Sequence, residues 1–253
     1  MPAPIKPLYT DEHLAGLPVK GGYRLRGLEM TRTETFTDAA FAFAVTLLVV
    51  SIDAIPTNFD ELLNAIKGIP AFAFSFALLL NFWAGHWKWS RRFGLEDWPS
   101  VLLSLLLVFL ILCYVYPLKF LSSLFMHWIS GGRISGSATL QSPGELHAIF
   151  AIYGAGFVML CLVLAALNLH ALRLGDRLRL DPVERISTRS EVGAWLILAA
   201  VGMLSVLLAL LTPVTRFILP GWAYALLWPI MHVYGVLSGR RIEAVKKSLA
   251  PPA

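Results

Sequence analysis

One stretch sets polar and ionisable side chains directly against an apolar run: Arg32-Thr33-Glu34-Thr35-Phe36-Thr37-Asp38, followed by Ala-Ala-Phe-Ala-Phe-Ala-Val-Thr-Leu-Leu-Val-Val. If the run crosses a membrane, Asp38 needs a partner, because a carboxylate costs about 2.5 to 3.5 kcal/mol at the centre of a span and less near its edge. Arg32 lies six residues earlier and cannot share a helix face with Asp38 across one turn. The partner is therefore expected on another helix. Trp83-Ala84-Gly85-His86 offers one, with its indole and imidazole three residues apart on one face and at the depth expected for Asp38. Thr37 and Asp38 also suit a second role, as an N-cap pair satisfying free N–H groups at a helix start.

Within the apolar run, Phe36, Ala39 or Ala40, Phe43, Leu47 and Val50 share a helical stripe, with Thr46 beside it. Facing an axis shared by identical subunits, the stripe makes successive apolar rings that gate by dewetting. Periodicity alone fits core or lipid contact better. The alanines at 39, 40, 42 and 44 let a neighbouring helix approach closely.

Other chemistry is poorly supported. His147, His170 and His232 have no acidic or Cys residue at metal-ligand spacing, and Cys113 and Cys161 both fall inside apolar runs. No metal or other cofactor is expected. The chain has no Thr-Val-Gly-Tyr-Gly filter, no nucleotide-binding loop and no Gly-x-Ser-x-Gly elbow. No nucleophile and base pair is evident, so an enzyme is not expected.

These residues must be positioned by membrane helices. The 253 residues are 57% hydrophobic and only 15% charged, and mean hydropathy is +0.68, well beyond an ordinary soluble domain. Six windows suit a span of about 20 residues: roughly 36–55, 70–90, 100–121, 147–168, 192–212 and 217–238. Their centres carry no Asp, Glu, Lys or Arg, which disfavours ion-coupled transport. Seventeen Lys and Arg fall in the N-terminal segment, the second and fourth connections and the tail, against four in the other connections. That bias predicts cytoplasmic termini. It also argues against nucleic-acid binding, since the net charge of +5 is spread over four short segments. Trp83, Trp87, Trp89, Trp98 and Trp128 lie toward expected span ends, as aromatic belts do. No leader peptide is expected from the polar, Pro-bearing first 35 residues. The third connection, around Gly131 to Ser137, reads as a loop, and Asp181-Pro182 as a helix start.

Taken together, Arg32-x-x-x-Phe36-Thr37-Asp38, the Ala-Phe-Ala-Phe-Ala-Val-Thr46-Leu47-Leu48 run, Trp83-x-x-His86 and Tyr116-Pro117 resemble the bacterial branch of the transmembrane protein 175 family, the lysosomal-type potassium channels. The resemblance implies an all-α membrane protein, a homotetramer of six-span subunits with the first span lining a central pore and no re-entrant filter loop. It implies a structural network of Arg32, Phe36, Thr37, Asp38, Trp83 and His86, and a pore lined and constricted by Phe43, Thr46, Leu47 and Val50. Three positions depart from the family pattern. Thr37 replaces the usual Ser and keeps the hydroxyl, Trp87 replaces a second His, and Phe43 replaces Ile or Leu, which narrows the ring.

The reading that follows is a potassium-preferring cation channel of the bacterial inner membrane, with lipid, monovalent cations and its own copies as partners. Residues 1–31 form an N-terminal cytoplasmic segment, 32–240 the transmembrane unit and 241–253 the tail. A non-conducting structural or partner-binding protein of the same fold is the alternative.

Overall fold

A computed structural model describes residues 7–50, 57–133, 140–216 and 218–249. A short helix α1 (Asp11–Ala15) precedes a small antiparallel hairpin, β1 (Val19–Lys20) and β2 (Tyr23–Arg24). Gly21 and Gly22 turn it with φ of 63° and 87°, the left-handed pair that a tight two-residue hairpin requires. Helices then follow in order: α2 (Arg32–Val50), α3 (Phe59–Phe93), α4 (Trp98–Ile129), α5 (Pro143–Arg173), α6 (Pro182–Leu211), the single-turn α7 (Leu219–Trp222) and α8 (Leu227–Leu249). The helical class expected from the sequence is what is found, apart from the hairpin.

Among the described residues, four helices are long and apolar enough to cross a membrane, α3 to α6. Six windows were expected, and the difference lies at the two ends. The first window runs on to residue 55, and residues 51–55 lie outside the described residues, while α2 itself carries Arg32, Glu34 and Asp38 in its first two turns. The last window is divided into α7, a 3-10 turn over Ala223–Leu226 and α8. Pro220 and Pro229 each lack an N–H, which favours helix starts and breaks over an uninterrupted span. α8 then continues beyond position 240, to Leu249.

Helix ends are built from local signals. Asn58 caps α3 by accepting the Glu61 N–H at 2.9 Å, and α3 stops at Gly94, whose φ of 56° is left-handed. Asp181 and Glu184 form a reciprocal capping box at the start of α6, with Pro182 in the first helical position. α3 to α6 are 30 to 35 residues long, about 45 to 52 Å at 1.5 Å per residue, so they extend past a hydrocarbon core of about 30 Å. Trp98 and Trp128, near opposite ends of α4, are both exposed, as interfacial aromatics are.

The core runs along α5, where Leu160, Leu164 and Leu167 are completely buried. α5 and α6 pack closely because glycines face large side chains. A Cβ on Gly154 would sit 2.6 Å from Val206 Cγ2, and one on Gly202 2.8 Å from Phe157 Cδ1. Such small-residue contacts are the usual route to tight helix packing in lipid.

Candidate functional site: the two faces of α2

α2 has one face packed inside the helix bundle and one outside it. Thr37, Ala44 and Leu48 have no exposed surface and Phe41 is buried, all at helical spacing. The opposite stripe is open: Phe36 is 53% exposed and Phe43 57%, with Arg32, Ala39, Thr46 and Val49 exposed between and beyond them. Leu47 is half-buried against the core. Val50 is the last residue of α2, and its side chain lies outside the described residues.

Hydroxyls on α2 turn inward to the helix. Thr46 Oγ1 donates to the Ala42 carbonyl at 3.0 Å, and Thr37 Oγ1 donates to the Thr33 carbonyl at 2.8 Å. The cap of α2 is therefore not Thr37 or Asp38. α2 begins a turn and a half earlier, and Thr31 Oγ1 accepts the Glu34 N–H at 3.1 Å, which leaves Thr37 in the helix interior.

Asp38 finds its partner on another helix. Trp83 Nε1 of α3 donates to Asp38 Oδ1 at 2.8 Å, and the Trp83 ring stacks on Trp87. His86, expected in the same network, makes its hydrogen bond elsewhere: its Nε2 lies 3.0 Å from Ser104 Oγ on α4. Buried at 2% exposure, it ties α3 to α4 by this bond, and it meets α2 through the charge of Asp38. Arg32 is exposed and forms no ion pair among the described residues. Phe36 lies on the outer stripe, away from Asp38's bond. Of the six expected network residues, Asp38 and Trp83 are joined by a hydrogen bond, with His86 close enough to interact with the Asp38 charge.

What positions the start of α2 is a contact that sequence reasoning missed. Arg26, in the strap between β2 and α2, makes a bidentate pair with Glu184 in the first turn of α6: Nη1 to Oε1 at 2.8 Å and Nη2 to Oε2 at 2.9 Å. Both side chains are fully buried. The Arg24 N–H also donates to Glu184 Oε1 at 2.8 Å, and Arg24 Nη1 reaches Asp181 at 2.9 Å. Glu184 precedes the apolar part of α6. Burial pushes its carboxyl upward, but the Arg26 and Arg24 donors and the guanidinium charge outweigh this and hold it below the ordinary value. The strap also crosses the end of α3. Gly27 N–H donates to the Arg91 carbonyl at 3.2 Å, and a Cβ on Gly27 would collide with the Ser90 carbonyl. Arg92 stacks over the Tyr23 ring at 3.9 Å and pairs with Glu191 at 3.0 Å. The only hint in the sequence was Asp181-Pro182-Val183-Glu184, whose capping-box pattern marks the helix start but not the arginine.

Among the described residues, no group of three or more His, Cys, Asp or Glu side chains is placed to hold a metal ion. The hydroxyl seen beside an imidazole among the described residues, Ser104 at His86, is sealed between α3 and α4, with both side chains buried. A bundle of apolar helices with a tied-down first helix and an unpartnered outer stripe defines a multi-pass membrane protein.

Comparison with known proteins shows its family. Residues 32–117 match the family described as "Endosomal/lysosomal potassium channel TMEM175". The chain is 36% identical over 228 residues to a protein of Marivirga tractuosa named "Potassium channel", covering 87% of this chain and 92% of the relative. It superposes on the crystal structure of the potassium channel MtTMEM175, determined as a variant with a Nanobody-MBP fusion protein, with a TM-score of 0.77 and 32% identity over 88% of this chain and all of the other. The chain belongs to the TMEM175 family. That is a family of channels and not of enzymes.

Proposed function

We propose that the protein is a potassium-preferring cation channel, a homotetramer of the bacterial inner membrane in which four α2 helices surround a central pore. One observation carries this reading: the stripe of Phe36, Ala39, Phe43 and Thr46 is exposed on a helix whose opposite face is completely buried. In the first helix of a bundle, an outward face of this regularity suits packing around an axis. The relatives named as potassium channels supply the ion.

Phe43 then forms the narrowest ring and Thr46 lies one turn deeper, with Leu47 and Val50 completing the apolar lining. The Thr46 hydroxyl spends its hydrogen on the Ala42 carbonyl, so its lone pairs remain available to a partly dehydrated cation. That is the polarity a cation path requires, and no re-entrant filter loop is needed. Asp38 and Trp83 set the rotation of α2, while the strap from β2 sets its height. On this reading six spans cross the bilayer, residues 32–240 form the conducting unit, and both termini face the cytoplasm, where the excess of Lys and Arg places them.

The size of Phe43 favours a second reading, in which four phenyl groups close the axis and the same tetramer carries no current. Potassium flux into vesicles reconstituted with the purified protein separates the two. The channel reading expects flux that rises in Phe43→Ala. Tetramers silent with either side chain would overturn it.

A further inference from the structure

α6 and α8 leave an open groove of about 390 Å³ between them, lined by Ile197 of α6 and by Pro229, Ile230, Val233, Tyr234 and Leu237 of α8. It is shallow and open along its length, with Val233 and Leu237 both exposed. The groove is apolar along its length, and Tyr234 spans its width, with Oη donating to the Ser190 carbonyl at 2.9 Å. Gly193 makes room for that ring, since a Cβ there would collide with the Tyr234 hydroxyl.

The groove does not end in neutral surface. On α8 the lining residues Ile230, Val233, Tyr234 and Leu237 follow one helical stripe, and the next positions on it are Arg240 and Arg241. Both arginines are exposed, and neither forms an ion pair among the described residues. Lys246 and Lys247 follow a turn and a half later, with Glu243 the single acidic residue between. An apolar channel leading to two uncompensated guanidinium groups complements an amphiphile with a hydrocarbon chain and an anionic head.

We propose that this groove is a binding site for one anionic phospholipid, its acyl chain lying against Val233 and Leu237 and its phosphate held by Arg240 and Arg241. The planar, multi-donor guanidinium suits phosphate geometry. The position also fits the leaflet: Arg240 and Arg241 stand where the transmembrane unit meets the basic tail, on the side proposed above as cytoplasmic, where an anionic surface attracts juxtamembrane cations. Lipid at this site would brace α8 against α6, and through Asp181 and Glu184 the base of α6 carries the strap that leads into α2.

Native mass spectrometry of the intact oligomer, exchanged into detergent with palmitoyl-oleoyl phosphatidylglycerol or with the phosphatidylcholine of the same chains, tests this without reference to conduction. The expected result is one phosphatidylglycerol retained per subunit in preference to phosphatidylcholine. Retention should weaken about tenfold or more in Arg240→Ala/Arg241→Ala, the loss expected when charge-assisted hydrogen bonds to the phosphate are removed, and should also fall in Val233→Trp, which fills the groove from an exposed position. Lys246→Ala/Lys247→Ala should leave it unchanged. Equal retention of both lipids would overturn the proposal. So would an equal loss in the lysine pair, which would mean diffuse surface attraction, and so would a smaller oligomer in Val233→Trp, which would make the groove a contact between copies.

Discussion

Trp83 Nε1 and Asp38 Oδ1, 2.8 Å apart, form the polar tie that fixes the rotation of α2 against α3. A hydrogen bond to a charged acceptor contributes about 1.5 to 3 kcal/mol, and leaving the carboxylate without it adds a desolvation cost. Trp83→Phe should therefore lower the thermal midpoint in detergent by several degrees. Asp38→Asn keeps the accepting oxygen and should cost less. Combined, the two changes should cost less than their sum, because they remove the same bond. Additive effects in that cycle would show that the pair does not act as one contact.

The Arg26 and Glu184 pair predicts a larger and asymmetric response. Each side chain is fully buried, so removing one leaves an uncompensated charge away from water, at about 3 to 5 kcal/mol. Arg26→Met and Glu184→Gln should each loosen the strap, read as faster proteolysis ahead of α2 and a lower midpoint of unfolding. The double replacement should recover part of the loss, since a neutral pair in place of both charges carries no buried ion.

Acid should loosen the same strap. Glu184 is held below its ordinary value of 4.5 in the folded protein, and its contribution is therefore complete above that value and lost as pH falls from there through the lower folded value. Asp97, at the start of α4, shifts the same way. Burial raises it, but donors from Ser100 and His170 outweigh that. Unfolding midpoints measured between pH 7 and pH 3 should be flat at the top of the range and decline below about pH 4.5. Glu184→Gln, already destabilised, should show a shallower decline. An identical acid limb in that variant would assign the effect to other carboxylates.

The bond between Asp38 and Trp83 was legible because it follows from depth: both residues stand at the polar edge of apolar runs, and a carboxylate there needs a donor from another helix. His86 shared that face and depth, but Ser104 on α4 competes for its ring nitrogen, and a spacing rule on one helix cannot anticipate a hydroxyl on a third. The unit expected to begin at residue 32 agrees with the start of α2, and only the alternative cap at Thr37 and Asp38 does not. Hydropathy marks where apolar residues begin, at Phe36, whereas the helix begins where a cap is available, at Thr31, and Thr31-Arg32-Thr33-Glu34 carries that pattern. Least legible was the contact between Arg26 and Glu184, 158 residues apart. Counting Lys and Arg for orientation treats Arg26 as one more solvated loop charge, and only the fold turns it into a buried one.

Thr46 provides the sharpest test of how an ion would pass. Its hydroxyl donates to Ala42 within the same helix, leaving only acceptor capacity toward the exposed side. Thr46→Val keeps the shape and removes that oxygen, and because the side chain is exposed in the subunit the fold should be little affected. If four such oxygens replace part of a cation's hydration shell, potassium flux should fall about fivefold or more, the factor for a contact of hydrogen-bond strength. Discrimination against sodium should narrow with it. Thr46→Ser restores an oxygen at the same height and should stay near the parent in both respects. Phe43→Ala acts differently, since it widens an apolar ring without supplying an acceptor: flux should rise while the preference set at Thr46 persists. Vesicle flux with potassium and sodium gradients across these variants separates a steric gate at Phe43 from a coordinating ring at Thr46. Equal loss of selectivity in Thr46→Ser and Thr46→Val would sink the coordinating role, because the two differ by the one oxygen on which it depends.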